Sequence, residues 1–228
     1  ILVAQDTTKY GEDIYGELKL PELIGELSKI EKLQWIRLLY CYPDRITDEL
    51  IDAIAENDKV CNYIDMPMQH ADGEILKAMN RKGDKESLLS LVEKIRAKIP
   101  DVVLRSTFIT GFPGESDSDF EALCKFVKQA KFDRLGCFAY SREEGTRSYD
   151  LPDQLDEETK QRRAEVIMEI QTAVSAALTP MANNAKKKPS SCPGKRKRLN
   201  TAKLMSTEFR INSTLISMAN KLRRVKNP

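Results

Sequence analysis

The chain has 228 residues, of which 41% are hydrophobic and 32% charged, a composition typical of a globular protein with a sizeable core. No apolar run approaches the roughly 18 residues that a transmembrane helix needs, and no signal peptide is recognisable, so we expect a cytoplasmic protein with no membrane partner. The five cysteines are odd in number and widely spaced, which favours free thiols over a disulfide framework.

Charge divides the chain into two regions. Residues 172–228 hold 13 basic residues and one acidic residue, whereas residues 1–171 hold 24 basic and 34 acidic residues. The composition changes near residues 172–180, where helical patterning gives way to Pro, Asn, Ser and Lys. We therefore predict a folded domain over residues 1–171 and an irregular, disordered basic tail over residues 172–228.

Strands and helices alternate along the predicted domain. Short apolar runs predict buried strands, the first of which opens the chain; they lie at residues 1–4, 35–40, 63–66, 102–110 and 134–141. Apolar residues at helical spacing predict helices at residues 21–30, 47–57, 72–80, 84–99, from 116 onward, and 156–174; Pro21 suits a helix start, and Ser116 with Asp119 forms a capping box. Repeated strand-then-helix units predict an α/β fold with a parallel sheet, either barrel-like or doubly wound.

Unusual residues follow each predicted strand directly. These segments are "QDTT" (5–8), "CYPD" (41–44), "PMQH" (67–70), "TGFPGES" (110–116) and "YSREEGT" (140–146). Because the carboxyl ends of parallel strands share one rim, where ligands bind in such folds, we expect Gln5, Gly111 and Tyr140 to surround a common opening.

Individual rim residues have both functional and structural interpretations. The two glycines of "TGFPGES" suit either close approach to a ligand or a tight turn before a capped helix. His70 is the only histidine, and a hydrogen-bonded rim residue is the more frequent role for such a side chain. Cys41 is the best-placed thiol for chemistry, although buried structural cysteines are more common. Adjacent side chains point apart, so of Glu143 and Glu144 we expect only Glu144 to face a site.

Five stretches together resemble the radical S-adenosylmethionine methylthiotransferases. They are "LVAQDTTKYG", "IRLLYCYPDRITDELIDAIAEN", "YIDMPMQHADGEILKAMNRKG", "IPDVVLRSTFITGFPGES" and "FDRLGCFAYSREEGT", in unbroken order over residues 1–171. "AQDTT" and "PMQH" are more similar to the branch that modifies a ribosomal protein than to the branch that modifies transfer RNA.

The resemblance implies a partial (βα) barrel that lacks its first βα unit. In this family a CxxxCxxC motif after the first strand binds a 4Fe-4S cluster, and it would precede Ile1. The cysteines present here are too dispersed to replace that motif, so we expect no metal ligands in this chain and no activity from the chain alone.

The resemblance also implies a binding site for S-adenosylmethionine on the rim. Its residues follow four of the strands or lie within them: Gln5, Asp6, Gln69, His70, Arg105, Ile109, Gly111, Gly114, Glu115, Tyr140, Ser141 and Glu144. Two departures from the superfamily pattern occur here: Thr107 stands where the pattern has a glycine, and the acidic residue comes one place later, at Glu115.

The implied reaction is radical addition of a methylthio group to an aspartate of a small-subunit ribosomal protein. The cluster passes an electron to S-adenosylmethionine, and the resulting radical removes hydrogen from the carbon that is modified. Three alternatives remain open: modification of transfer RNA, a non-catalytic module that binds RNA or the ribosome, and an ordinary α/β enzyme that binds phosphate through "TGFPGES".

The tail does not resemble the small β-barrel that ends the family's proteins. Its "KKKPSSCPGKRKR" run could bind nucleic acid. A shift of reading frame near Gln171 accounts for the same composition.

Overall fold

The computed structural model describes residues 1–184, and the predictions for residues 185–228 lie outside it. Four parallel strands form one sheet in the order β1-β2-β3-β4: β1 Ile36–Leu38, β2 Val60–Asp65, β3 Val103–Thr110 and β4 Arg134–Ala139. The order has no reversal, so successive crossovers run in one direction, as in a barrel. A doubly wound sheet would reverse its order partway, so the barrel-like alternative is confirmed.

Seven helices accompany the sheet within the described residues. They are α1 Glu12–Tyr15, α2 Leu20–Ser28, α3 Asp48–Ala55, α4 Gly73–Ala78, α5 Lys85–Lys98, α6 Asp117–Ala130 and α7 Glu157–Asn184. Four begin at side-chain caps, since Thr47, Asp72, Asp84 and Ser116 each accept a hydrogen bond from a backbone N–H of the first turn; the capping box at Ser116 was predicted from sequence and is confirmed.

The predicted opening strand is only partly correct. Leu2 forms a single parallel bridge with Leu38 beside β1, and its N–H donates to the Arg37 carbonyl at 2.8 Å. Ile1 and Val3 are exposed rather than buried. The described residues therefore form four strands and, in place of the predicted opening strand, a single bridge. A segment at the edge of a sheet buries only the side chain that faces the sheet, which leaves Ile1 and Val3 exposed.

The last helix is longer than predicted. The sequence predicts an end near residue 174, whereas α7 continues to Asn184 without interruption. Alanines at 173, 176 and 177 are strong helix formers, and they carry the helix through the segment where composition suggested a break.

The core lies between the sheet and its helices. Residues of β3 alternate, with Leu104, Ser106, Phe108 and Thr110 buried and the residues between them half-buried. Phe108 packs against Phe126 and Phe132 with ring centroids 6.1 and 5.8 Å apart. This packing anchors β3 and α6, and so holds the turn between them at the rim.

Candidate functional site at the strand carboxyl ends

The rim holds two adjoining cavities rather than the single opening predicted. One cavity, of about 820 Å³, is lined by Gln5 and Asp6 among others. A second, of about 790 Å³, is lined by Gln69, Ile109 and Tyr140 among others. Asn80 and Arg81 line both cavities. The segment after α4 therefore divides the rim, a feature that no strand-end motif could reveal.

The second cavity has apolar walls and one unsatisfied hydroxyl. Ile109 lines it beside Phe112, whose ring meets Tyr140 edge-on at a centroid distance of 5.2 Å. Tyr140 is 7% exposed, and its buried hydroxyl has no hydrogen-bond partner among the described residues. A buried polar atom without a partner costs about 1–3 kcal/mol, so this hydroxyl needs an explanation.

Gln69 is held in the wall of the second cavity by its backbone. Its N–H donates to the Thr107 carbonyl at 2.9 Å, and its carbonyl accepts from the Ile109 N–H at 2.8 Å. Its φ is +71°, in the left-handed region that non-glycine residues seldom adopt. Such strain persists where the surroundings impose it, which occurs often at binding sites.

In the first cavity, Asp6 is engaged locally while Gln5 is exposed. The Asp6 carboxylate accepts from the Thr8 N–H at 3.0 Å and from the Thr8 hydroxyl, and it lies 3.4 Å from Arg45 Nε. Asp6 thereby caps the short turn Thr7–Lys9. Its structural role is to fix the backbone that presents Gln5.

The turn after β3 is closed by its own carboxylate. Glu115 Oε2 accepts from the Gly111 N–H at 2.6 Å, and Arg163 Nη1 donates to Glu115 Oε1 at 2.9 Å. Burial raises the pKa of Glu115, and these two donors offset part of that rise. We name Gly111, Glu115 and Arg163 the clamp.

The clamp explains where the glycines of "TGFPGES" are needed. Gly111 has a φ of +72°, and a Cβ there would lie 2.3 Å from Lys160 Cγ on α7. Gly111 is thus required for close approach of a helix, and it is buried beneath the rim rather than open to a ligand. Gly114 also has a positive φ, but nothing lies within 4 Å of its Cβ position.

The same geometry weakens the phosphate-binding alternative. Phosphate sites of this type use free backbone N–H groups at a helix start. Here the Gly111 N–H donates to Glu115, the N–H of the capping residue Ser116 donates to Asp119, and the Asp119 N–H donates to the Ser116 hydroxyl. Two of the N–H groups around this turn are thus bound by acidic side chains and a third by a serine hydroxyl, so none of the three is free for a phosphate.

His70 lies under the clamp rather than in a cavity. Its ring is fully buried, Nδ1 accepts from the Asp72 N–H at 3.0 Å, and Nε2 lies 3.8 Å from Glu115 Oε2. Burial lowers the pKa of His70 to about 4, so the ring is neutral at pH 7. It is the hydrogen-bonded rim residue that sequence reasoning favoured.

The remaining predicted site residues are more exposed. Arg105 is half-buried on β3 and pairs with the buried Asp65 at 3.2 Å. Ser141 is exposed and donates to Glu143 at 2.6 Å, while Glu144 is exposed and lines neither cavity. Their roles as cofactor ligands stay predictions.

The thiols of the described residues do not fit an iron-sulfur cluster. Cys41 and Cys61 are buried, Cys124 and Cys137 are half-buried, and within residues 1–184 no three His, Cys, Asp or Glu side chains are grouped as metal ligands. Burial raises the pKa of Cys41 to about 12, so this thiol is structural rather than reactive.

Sequence reasoning missed the contribution of α7. Lys160, Arg163, Ala164, Ile167 and Gln171 are all buried, at spacings of three and four residues. That stripe was visible as one helix face, but Lys and Arg are usually exposed, so their burial was not expected.

The comparison with known families identifies the class of protein, and the barrel-like parallel sheet agrees with it. Residues 10–127 match the family described as the Radical SAM superfamily, and the chain belongs to that superfamily. Coproporphyrinogen III oxidase from Escherichia coli, described as a radical SAM enzyme, has a similar fold: its structure aligns with a TM-score of 0.52 and 20% identity over 70% of this chain and 37% of that one. No helix within residues 1–184 has the length and apolar character to cross a membrane.

More similar sequences narrow the resemblance to one group of enzymes. The chain is 54% identical over 175 residues to the ribosomal protein uS12 methylthiotransferase of Alkaliphilus oremlandii, covering 77% of this chain and 40% of that protein. It is 54% identical over 187 residues to the enzyme of the same description from Clostridium acetobutylicum, covering 82% and 41%. The chain thus spans about two fifths of the length of these relatives.

Proposed function

We propose that residues 1–171 are the part of a uS12 methylthiotransferase that binds S-adenosylmethionine and admits the acceptor aspartate. The observation that carries the proposal is the 54% identity to enzymes of that description. The second cavity supports it, because apolar walls at Ile109 and Phe112 and an unsatisfied Tyr140 hydroxyl suit a flat, polar-edged group such as adenine.

The residues of the second cavity have distinct tasks in this proposal. Ile109 and Phe112 pack against the adenine, the Tyr140 hydroxyl forms a hydrogen bond with the ligand, and Gln69 offers its amide from a backbone locked to β3. Bound S-adenosylmethionine supplies the radical chemistry, while the protein orients it and excludes water. Among residues 1–184 no three His, Cys, Asp or Glu side chains are grouped as metal ligands, so no residue of this chain is assigned to hold a cluster in this proposal.

The protein partner follows from the relatives rather than from the geometry. We assign uS12 as the substrate and the cytoplasm, where ribosomes are found, as the location. Transfer RNA is a less favoured substrate, because the relatives at about 54% identity carry the uS12 description.

Tyr140→Phe tests the cofactor part of the proposal. Loss of the hydroxyl should weaken binding of S-adenosylhomocysteine by about ten-fold, since a ligand hydrogen bond contributes about 0.5–1.5 kcal/mol and its loss leaves a ligand atom unpaired. Stability should not fall, because the hydroxyl has no partner within the described residues. Equal binding by both proteins in calorimetric titration would refute this use of Tyr140.

A chimera tests the substrate. Residues 1–171 would replace the matching segment of the Alkaliphilus oremlandii relative, and the product would be expressed in cells that lack their own uS12 methylthiotransferase. Mass spectrometry should find the methylthio group on uS12 and none on transfer RNA. A stable chimera that modifies transfer RNA, or neither molecule, would contradict the assignment.

A further inference from the structure

Arg81 lies at the junction of the two cavities. It is the residue after Asn80 in the short segment that follows α4, and it lines both cavities. Its guanidinium carbon stands 4.0 Å from the centre of the Tyr42 ring, which itself lines the first cavity. Stacking on an aromatic ring restricts the guanidinium while leaving its N–H donors directed outward.

Of the two arginines that line the first cavity, Arg45 has carboxylate partners and Arg81 has none within the described residues. Arg45, also in the first cavity, is neutralised by Asp6 at 3.4 Å and Glu12 at 3.3 Å. No ion pair within residues 1–184 involves Arg81, although Asp6, Asp13 and Asp44 line the same cavity. An ordered guanidinium with unused donors is a ready partner for an external anion.

The charges that line the second cavity also favour an anionic ligand. Its lining includes Arg81, Lys77 and Arg147 but no acidic residue. Lys77 is 3.7 Å from Glu74, so the two arginines are its unneutralised cations within the described residues. A negatively charged ligand group would therefore meet favourable charge on entering from this side.

We propose that Arg81, held against the Tyr42 ring, binds a carboxylate at the boundary between the two cavities. The planar guanidinium matches a carboxylate through two parallel hydrogen bonds, which a lysine could not form. The proposal that Arg81 binds a carboxylate rests on the proposed function only for the identity of the molecule that carries the carboxylate. Two sources exist there: the methionine portion of S-adenosylmethionine, and the acceptor aspartate of the protein substrate.

Paired ligands identify the source. S-adenosylhomocysteine carries the amino-acid carboxylate, and 5′-methylthioadenosine keeps the adenosine and thioether without it. A uS12 peptide with its acceptor aspartate is paired likewise with the same peptide carrying asparagine. Each ligand is titrated calorimetrically into the 228-residue chain, into Arg81→Gln and into Arg162→Gln, a matched control at an exposed position of α7 outside both cavities.

Arg81→Gln should weaken the binding of one carboxylate ligand at least ten-fold and the binding of its carboxylate-free counterpart less than two-fold. Arg162→Gln should bind all four ligands with nearly the affinity of the unaltered chain. Loss confined to S-adenosylhomocysteine assigns the carboxylate to the cofactor; loss confined to the aspartate peptide assigns it to the substrate. Equal effects within both pairs, equal effects of the two arginine variants, or no measurable binding of either carboxylate ligand to the unaltered chain would overturn the proposal.

Tyr42 provides a second, independent check. Tyr42→Phe keeps the ring under Arg81 and should retain carboxylate selectivity, whereas Tyr42→Leu removes it and should reduce that selectivity several-fold. Tyr140→Phe separates this inference from the proposed function. If Tyr140→Phe leaves S-adenosylhomocysteine binding unchanged while Arg81→Gln removes its carboxylate selectivity, the proposed role of Tyr140 fails and the role of Arg81 stands.

Discussion

Two turns that look alike in sequence behave differently in the structure. Both "GFPGES" after β3 and "SREEGT" after β4 combine glycine with glutamate at a strand end. In the first, Glu115 is buried in the clamp and α7 packs on Gly111. In the second, Glu143, Glu144 and Gly145 are exposed. A strand-end carboxylate therefore serves stability when a helix covers it, and is available to ligands when none does.

The largest expected difference in stability comes from the arginines that contact the two turns, Arg163 on α7 and Arg142 within the exposed turn. Arg163→Met should lower the free energy of unfolding by about 3–5 kcal/mol, because it leaves the buried Glu115 carboxylate without its cation. Arg142→Met in the exposed turn removes a contact to the Tyr149 carbonyl and should cost less than about 1 kcal/mol. Urea unfolding of both variants measures the difference.

A second substitution sharpens that result. Adding Glu115→Gln to Arg163→Met should recover part of the lost stability, since no buried charge then remains unpaired. A double variant no more stable than Arg163→Met would show that Arg163 acts through packing on α7 instead.

The glycines of the two turns provide the next comparison. Gly111→Ala should cost about 3 kcal/mol, because it adds overpacking against Lys160 to an unfavourable left-handed φ. Gly145→Ala has a similar φ of +77° but nothing within 4 Å of its Cβ, so it should cost about 1 kcal/mol. Comparable thermal shifts for both would mean that α7 does not press on Gly111.

The free energy of unfolding should depend on pH through His70, which lies beneath the buried turn. His70 has a folded pKa of about 4 and an ordinary value of 6.5, so unfolding takes up a proton between these values and stability falls as pH decreases through that window. The loss should reach about 2 kcal/mol at pH 5. Glu115, whose pKa is raised, has the opposite effect, as its ionisation costs stability above its unfolded value.

His70→Asn isolates the histidine contribution. Asparagine can keep an acceptor for the Asp72 N–H, and without a titrating ring the acid slope of the unfolding free energy should become shallower. His70 is the only histidine, so nuclear magnetic resonance of its single ring signal reads its pKa directly. A value near 6.5 in the folded protein would contradict the buried, neutral ring.

The smallest stability effects belong to the exposed turn. Ser141→Ala and Glu144→Gln should change the unfolding free energy by less than about 0.5 kcal/mol, since both side chains are exposed. If these residues contact the cofactor, as the family resemblance implies, binding of S-adenosylhomocysteine should weaken at unchanged stability. Unchanged binding by both variants would remove them from the site.

Predictions from sequence patterns that have a local physical cause were mostly confirmed by the structure. Helical spacing located the starts of α3, α4 and α5, the capping box at Ser116 located that of α6, and the apolar runs located β2, β3 and β4 to within a few residues. Helix caps and strand runs depend on neighbours within a few positions, so one sequence is enough to find them. The predictions of an opening strand and of the end of α7 were wrong. An edge strand and the last turns of a helix depend on which segments pack beside them, and the local sequence does not specify this.

The sequence by itself determined that a series of parallel strands brings "QDTT", "PMQH", "TGFPGES" and "YSREEGT" to one rim, because chain direction and alternation alone set that placement. Only the tertiary structure decided which rim residues face a cavity. Lys160 and Arg163 of α7 cover Gly111 and Glu115, and Arg81, in contact with Tyr42, lines both cavities. These outcomes depend on side chains more than 35 positions apart in sequence, whose contacts form only when the helices pack against the sheet.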